Sequence, residues 1–323
     1  MSRAARFNIL LAVALVAAML LSLISGKVWL PWSAWHATDP RWLIIFELRM
    51  PRTVLGAAVG AALGLSGAAM QGYLRNPLAD PGLFGVSAGA ALGAVLSLFF
   101  GYTASALLLP AFALTGAAVA MALLALLAGR SGSLIVFTLS GVILSSVAGS
   151  MTALAISLAP TPFATSQIVT WLMGALTDRS WDDVWIALPI ITLGAVLLGL
   201  TARSLDALTL GEAAARSMGV DPRLLQWLIV TGVGLCVGAS VAAAGIIGFV
   251  GLMVPHLVRP FAGHRPSAVL LPSAIGGALL LVLADSLVRL APTVSELRLG
   301  IAMSMLGGPF FLVLLLRMRR KLA

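Results

Sequence analysis

Charge is scarce in this chain: acidic and basic residues make up 10% of its 323 residues, against 60% hydrophobic residues and a mean hydropathy of +1.08. Soluble domains carry about 25% charged residues, so this composition cannot clothe a water-facing surface. A cytosolic enzyme, a secreted disulfide scaffold and a disordered tail are all excluded, and a polytopic membrane protein is expected. A single cysteine, Cys236, rules out an intrachain disulfide. No Gly-x-x-x-x-Gly-Lys-Ser/Thr phosphate loop is present; Gly26-Lys27 is the only Gly-Lys pair and lacks both the upstream glycine and the hydroxyl residue. His36, His256 and His264 have no second ligand at helical or finger spacing, so no metal site is expected. Ionisable groups inside apolar runs are nearly absent. Only Asp285 qualifies, and Arg289 follows one helical turn later, where the two can satisfy each other. A self-powered secondary carrier or channel would therefore lack its coupling groups, and the energy source is expected on another subunit.

What is there is hydrophobic length. Runs of about 20 mostly apolar residues span a bilayer, and ten candidates lie at roughly 7–26, 53–71, 84–100, 105–128, 134–158, 184–203, 224–244, 248–262, 269–290 and 300–317. The eighth is interrupted by Pro255, His256 and Arg259, which leaves nine as the rival count. The first run is about twice the length of a signal-peptide core and no Ala-x-Ala site follows, so it reads as a retained helix.

With both termini placed in the cytoplasm, the inner segments hold thirteen cations against four acids, and the outer segments seven against seven. The net charge of +9 then lies wholly inside, as the positive-inside rule expects, and needs no nucleic acid to explain it.

Val59-Gly-Ala-Ala-Leu-Gly-Leu-Ser-Gly67 resembles Val237-Gly-Ala-Ser-Val-Ala-Ala-Ala-Gly245. On the proposed topology the copies run in opposite directions, as inverted halves of a transporter would, although Gly/Ala-rich membrane helices also resemble one another by chance. The halves would be roughly 1–180 and 181–323 of one transmembrane domain spanning 1–323. Glycines at four-residue spacing (Gly60 and Gly64; Gly85, Gly89 and Gly93; Gly234 and Gly238) predict close helix packing.

Two inner segments spend polar sequence. Gln71 to Gly85 contains two prolines and several glycines, which forbid continuous helix. The longest inner loop, Ser204 to Arg223, contains a short amphipathic helix over about 207–220, ended by Gly219 and suited to docking a partner.

The ordered motifs Arg49-Met-Pro-Arg52, Leu65 to Gln71, Asn76-Pro-Leu-Ala-Asp-Pro-Gly82, Leu210-Gly-Glu-Ala-Ala-Ala-Arg216, Gly245 to His256, Leu283-Ala-Asp285 and Leu306-Gly-Gly-Pro-Phe310 resemble the permeases of type II ABC importers for iron-siderophores, haem and vitamin B12. The resemblance covers essentially the whole chain. It implies an all-α fold of ten transmembrane helices per subunit in two inverted pseudo-repeats, like the vitamin B12 importer permease, in the bacterial inner membrane with both termini cytoplasmic. The implied partners are a second copy of the chain, a cytoplasmic ATPase dimer carrying ATP and Mg, and a periplasmic substrate-binding protein. This chain itself would bind no cofactor and would not be an enzyme.

Residue by residue, the family's arginines that meet glutamates of the binding protein match Arg49, Arg52 and Arg289, expected at a wet outer face unless Glu47 or Asp285 neutralises them. The cytoplasmic gate matches the loop with Asn76 and Leu78. The coupling helix matches Glu212, Arg216 and Gly219. One departure stands out: Glu296-Leu-Arg298 replaces the family's common Glu-Leu-Pro, so either the last helix begins differently or Arg298 adds charge at the outer mouth. The Asn76 to Gly82 run looks most like haem-importing members, with an iron-siderophore and vitamin B12 as alternatives.

Overall fold

The computed structural model describes residues 3–26, 30–31, 35–36, 39–102, 107–128, 134–292 and 296–322. Of the charges counted above, Lys27 and Arg130 lie outside the described residues, as do the first residues of the run expected at 105–128.

Thirteen α-helices make up the described chain: α1 (Arg3–Ile24), α2 (Met50–Tyr73), α3 (Val86–Phe99), α4 (Leu108–Ala128), α5 (Leu134–Ser157), α6 (Pro162–Leu172), α7 (Trp181–Leu200), α8 (Ala202–Leu208), α9 (Glu212–Ser217), α10 (Pro222–Ala244), α11 (Val250–Ala262), α12 (Pro266–Leu290) and α13 (Leu299–Leu322). A π-helical stretch, Ile44–Arg49, leads into α2, and a 3-10 turn, Pro81–Phe84, leads into α3. The all-α expectation holds, and each of the ten expected runs coincides with a helix. Seven of them (α1, α2 with its π-helical lead, α4, α5, α7, α10 and α12) are long and apolar enough to cross a membrane unaided. The other three, α3, α11 and the apolar part of α13, are shorter: the 14 residues of α3 rise about 21 Å, below the roughly 30 Å of a bilayer core. Both α3 and α11 follow irregular backbone, ending in left-handed Gly85 and Phe249 respectively.

Burial sorts the helices. α2 and α10 are buried along most of their length, whereas α1, α4, α5 and α7 leave large apolar side chains such as Leu10, Leu126, Ile135 and Trp185 exposed, as a lipid-facing ring requires. The glycine pattern explains the close pairs. A Cβ at Gly60 or Gly64 would overlap the backbone of Gly277 or Ser273 on α12, and one at Gly89 or Gly93 would overlap that of Gly116 or Phe112 on α4. Lipid tails are as apolar as leucine, so this backbone approach supplies the van der Waals attraction that holds the helices together.

The same contacts set direction. Gly60 meets Gly277, Gly64 meets Ser273 and Arg52 meets Asp285, so α2 and α12 are antiparallel. α2 runs from the end of the bundle holding Arg52 to the end where Arg75 faces Glu212 of α9. α10 starts beside α9 and finishes at Ala244, whose carbonyl accepts from Ala175 N–H, two residues before Thr177, which reaches Glu296 and through it Arg52. The two copies of the internal repeat therefore lie on helices of opposite direction. Two boundaries differ from expectation. α6 had no counterpart among the expected runs, its 11 residues being too few for a spanning signal. The helix expected over about 207–220 is the shorter α9, because Gly211 at φ 99° breaks the backbone before it, and the separate α8 ends at Leu208.

Candidate functional site

Polar chemistry gathers at the two ends of the bundle. At the first end, Arg52 is the third residue of α2, and its guanidinium takes Asp285 of α12 in a fork, Nη2 to Oδ1 at 2.8 Å and Nε to Oδ2 at 3.0 Å. Its remaining Nη1 donates to Glu296 Oε2 at 2.9 Å, which also accepts from Thr177 Oγ1 at 3.0 Å. Asp285 also meets Arg289 Nε at 3.2 Å across one helical turn. Arg289 turns its other nitrogens to the end of α1, with Nη1 donating to Ser22 O at 3.1 Å and Nη2 to Ser22 Oγ. Arg49 Nη1 donates to Leu23 O at 3.1 Å. The last carbonyls of a helix have no intrahelical partner and carry partial negative charge; two guanidiniums cap those of α1.

This placement differs from the exposed outer-face arginines expected. Arg49, Arg52 and Arg289 are 9%, 9% and 4% exposed, and Asp285 is 2% exposed. Of the two acids that could neutralise them locally, Asp285 does so, while Glu47 stays exposed. Asp285 is shared between Arg52 and Arg289, Glu296 takes the remaining side of Arg52, and Arg49 reaches the end of α1. Burial alone would raise the Glu296 carboxyl, but the charge of Arg52 and the bonds from Arg52 and Thr177 outweigh it and hold the group below its ordinary range. Glu296, Thr177 and Ser22 were missed as cluster members; only the motif position of Glu296 offered a signal.

At the second end, the loop after α2 is shaped by two side chains that bond the backbone two residues on. Asn76 Oδ1 accepts from Leu78 N–H at 3.0 Å, and Asp80 Oδ1 from Gly82 N–H at 2.6 Å. Burial raises the Asp80 carboxyl, and the Gly82 bond offsets this in part. Asn76 is exposed and Leu78 half-buried, so the expected gate residues sit on the rim of this end.

α9 stops in a Schellman motif: Gly219 is left-handed at φ 86°, its N–H bonds Arg216 O at 2.9 Å, and Val220 N–H bonds Ala215 O at 3.0 Å. Asp221 then caps α10 by accepting from Arg223 N–H at 2.8 Å. Glu212, Arg216 and Gly219 are all exposed. Glu212 approaches Arg75 at 3.7 Å, joining α9 to the start of the loop after α2 through a solvent-screened pair. Two further ties went unforeseen. Asp206 of α8 accepts from Ser267 N–H at 2.9 Å and Oγ–H at 2.6 Å, capping α12, and Arg259 of α11 donates to Gln71 Oε1 at 2.8 Å. Among the described residues no cluster of three or more His, Cys, Asp or Glu could hold a metal ion.

The chain matches the model of the FecCD transport family over residues 14–317. It is 38% identical to the vitamin B12 import system permease protein BtuC of Salmonella typhi, covering 98% of this chain and 97% of that one. To the Fe(3+) dicitrate transport system permease protein FecD of Escherichia coli it is 37% identical, covering 96% and 98%. The solved structure of a protein described as a metal-chelate type ABC transporter, in an inward-facing conformation, superposes with a TM-score of 0.87 at 31% identity, covering 97% of this chain and 99% of that one.

Proposed function

The chain belongs to the FecCD transport family, the permeases of ABC importers for iron chelates and vitamin B12, and from that premise we propose that it is the membrane subunit that carries haem from a periplasmic binding protein into the cytoplasm. The observation that supports haem within the family is the Asn76-Pro-Leu-Ala-Asp-Pro-Gly82 loop, whose Asn76 and Asp80 shape it by bonding its own backbone. Relatives named for vitamin B12 and for iron dicitrate stand at nearly equal identity, so overall similarity does not choose between these cargoes.

The working assembly is two copies of this chain, an ATPase dimer beneath α9 that binds ATP and Mg, and a binding protein above the Arg49, Arg52 and Arg289 cluster. Both termini lie in the cytoplasm, and the membrane is the bacterial inner membrane. The guanidiniums of the cluster would draw carboxylates of the binding protein, with electrostatics setting encounter rate and register. Movement of the ATPase would enter at α9 and pass by two routes. Glu212 to Arg75 leads to the gate at Asn76 and Leu78, and Asp206 to Ser267 leads into α12. The 25 residues of α12 form a rod of about 37 Å whose far end carries Asp285 and Arg289. A self-contained secondary carrier is disfavoured because Asp285, the one acid inside an apolar run, is committed to Arg52 and Arg289.

Uptake into proteoliposomes tests the proposal. With the cognate ATPase and binding protein, ATP should drive hemin accumulation; accumulation of cobalamin or a ferric siderophore in place of hemin would reassign the cargo within the family.

A further inference from the structure

A polar cavity of about 370 Å³ opens at the first end of the bundle, between α6, the turn after it and the start of α13. Gln167, Trp171, Thr177, Asp178, Arg179 and Arg298 line it. Neither cation is fully matched. Arg179 spends Nη1 on Asp183 at 3.4 Å and leaves a buried Nε with no acceptor. The Arg298 side chain has no hydrogen-bond or ion-pair partner among the described residues, and Glu296, two residues away, is committed to Arg52 and Thr177. Trp171 adds a second buried donor without an acceptor, its indole Nε1. Asp178 is the one acid in the lining, exposed and held at φ 58°, and Asp183 outside the lining takes Arg179, so Arg298 is the cation left for a ligand.

Buried donors in native proteins almost always find acceptors, and a cation withdrawn from bulk water attracts an anion more strongly than one in solution. We propose that this cavity is a subsite for a carboxylate carried by the transported chelate, with Arg298 as its principal specificity-determining residue. The planar fork of an arginine matches the two oxygens of a carboxylate. The role bears on cargo charge: a substrate with free carboxylates is held at the mouth, and an uncharged one gains nothing there. The cavity lies beside the Arg52 cluster, since Thr177 belongs to its wall and donates to Glu296. A cargo seated there is next to the surface where the binding protein would release it.

This inference rests on the import reading and refines its substrate class. The test uses the full chain with its ATPase and binding protein in proteoliposomes. Hemin, hemin dimethyl ester, ferric dicitrate and cobalamin serve as probes of wild type, Arg298→Ala, Arg298→Glu and Arg298→Lys. The expected result is about a tenfold rise in KM for hemin in Arg298→Glu, at least threefold in Arg298→Ala, and recovery to within twofold in Arg298→Lys. The poor uptake of the diester is insensitive to all three substitutions. Equal hemin uptake by wild type and Arg298→Glu would overturn the subsite and leave the haem reading standing. Wild-type uptake of ferric dicitrate in place of hemin, lost in Arg298→Glu, would overturn haem and keep the subsite. Uptake of cobalamin alone would overturn both.

Discussion

Arg52 and Asp285, 233 residues apart in the chain, meet through a forked guanidinium–carboxylate contact with a closest approach of 2.8 Å, both almost wholly buried. The contact ties the start of α2 to the end of α12 at the level where α1 also ends. Removing one partner of a buried pair leaves the other charge uncompensated, typically at a cost of about 3–5 kcal/mol. Arg52→Ala and Asp285→Ala should each lower the thermal midpoint of the detergent-solubilised protein markedly. The double variant should lose much less than the sum, which a double-mutant cycle would measure.

Helix packing at glycine predicts a sharp contrast. Gly64→Val places side-chain atoms against the Ser273 backbone, where no flexible group can yield, and should abolish recovery of monodisperse protein on size-exclusion chromatography. Gly199→Ala meets nothing within 4 Å and should be recovered as wild type.

The Glu296 carboxyl titrates below its ordinary range in the folded protein, so its contribution to stability is fully present above the unfolded value near ~4.3 and is lost as pH falls through the depressed folded value. Thermal midpoints measured from pH 7 to pH 3 should fall on the acid side in wild type. In Glu296→Gln that part of the acid-side fall should be missing.

Coupling through α9 predicts a separation of two activities. Glu212→Lys reverses the charge facing Arg75 on an exposed, solvent-screened pair, so folding should be kept. ATP hydrolysis by the reconstituted complex should continue while uptake per ATP drops severalfold; wild-type uptake by this variant would remove Glu212 from the coupling path.

Much of this was legible in the chain, for a physical reason. Hydropathy over 20 residues reports lipid exposure or burial directly, and every expected span is a helix. Glycine spacing reports close approach, and the Gly60 and Gly64 face does meet α12. The Asp285–Arg289 pair was legible from its one-turn spacing; that Asp285 and not the nearer Glu47 also takes Arg52 was not, because it lies 233 residues from Arg52 in the chain. The split at Gly211 was hidden by the helix-forming residues on both sides of it, and α6 by its length.

ATP-driven import is tested most directly by hemin uptake into proteoliposomes holding this chain, with and without its ATPase and binding protein. Accumulation is expected only when both partners and ATP are present. Uptake by the chain alone, driven by a proton or sodium gradient, would contradict ATP-driven import.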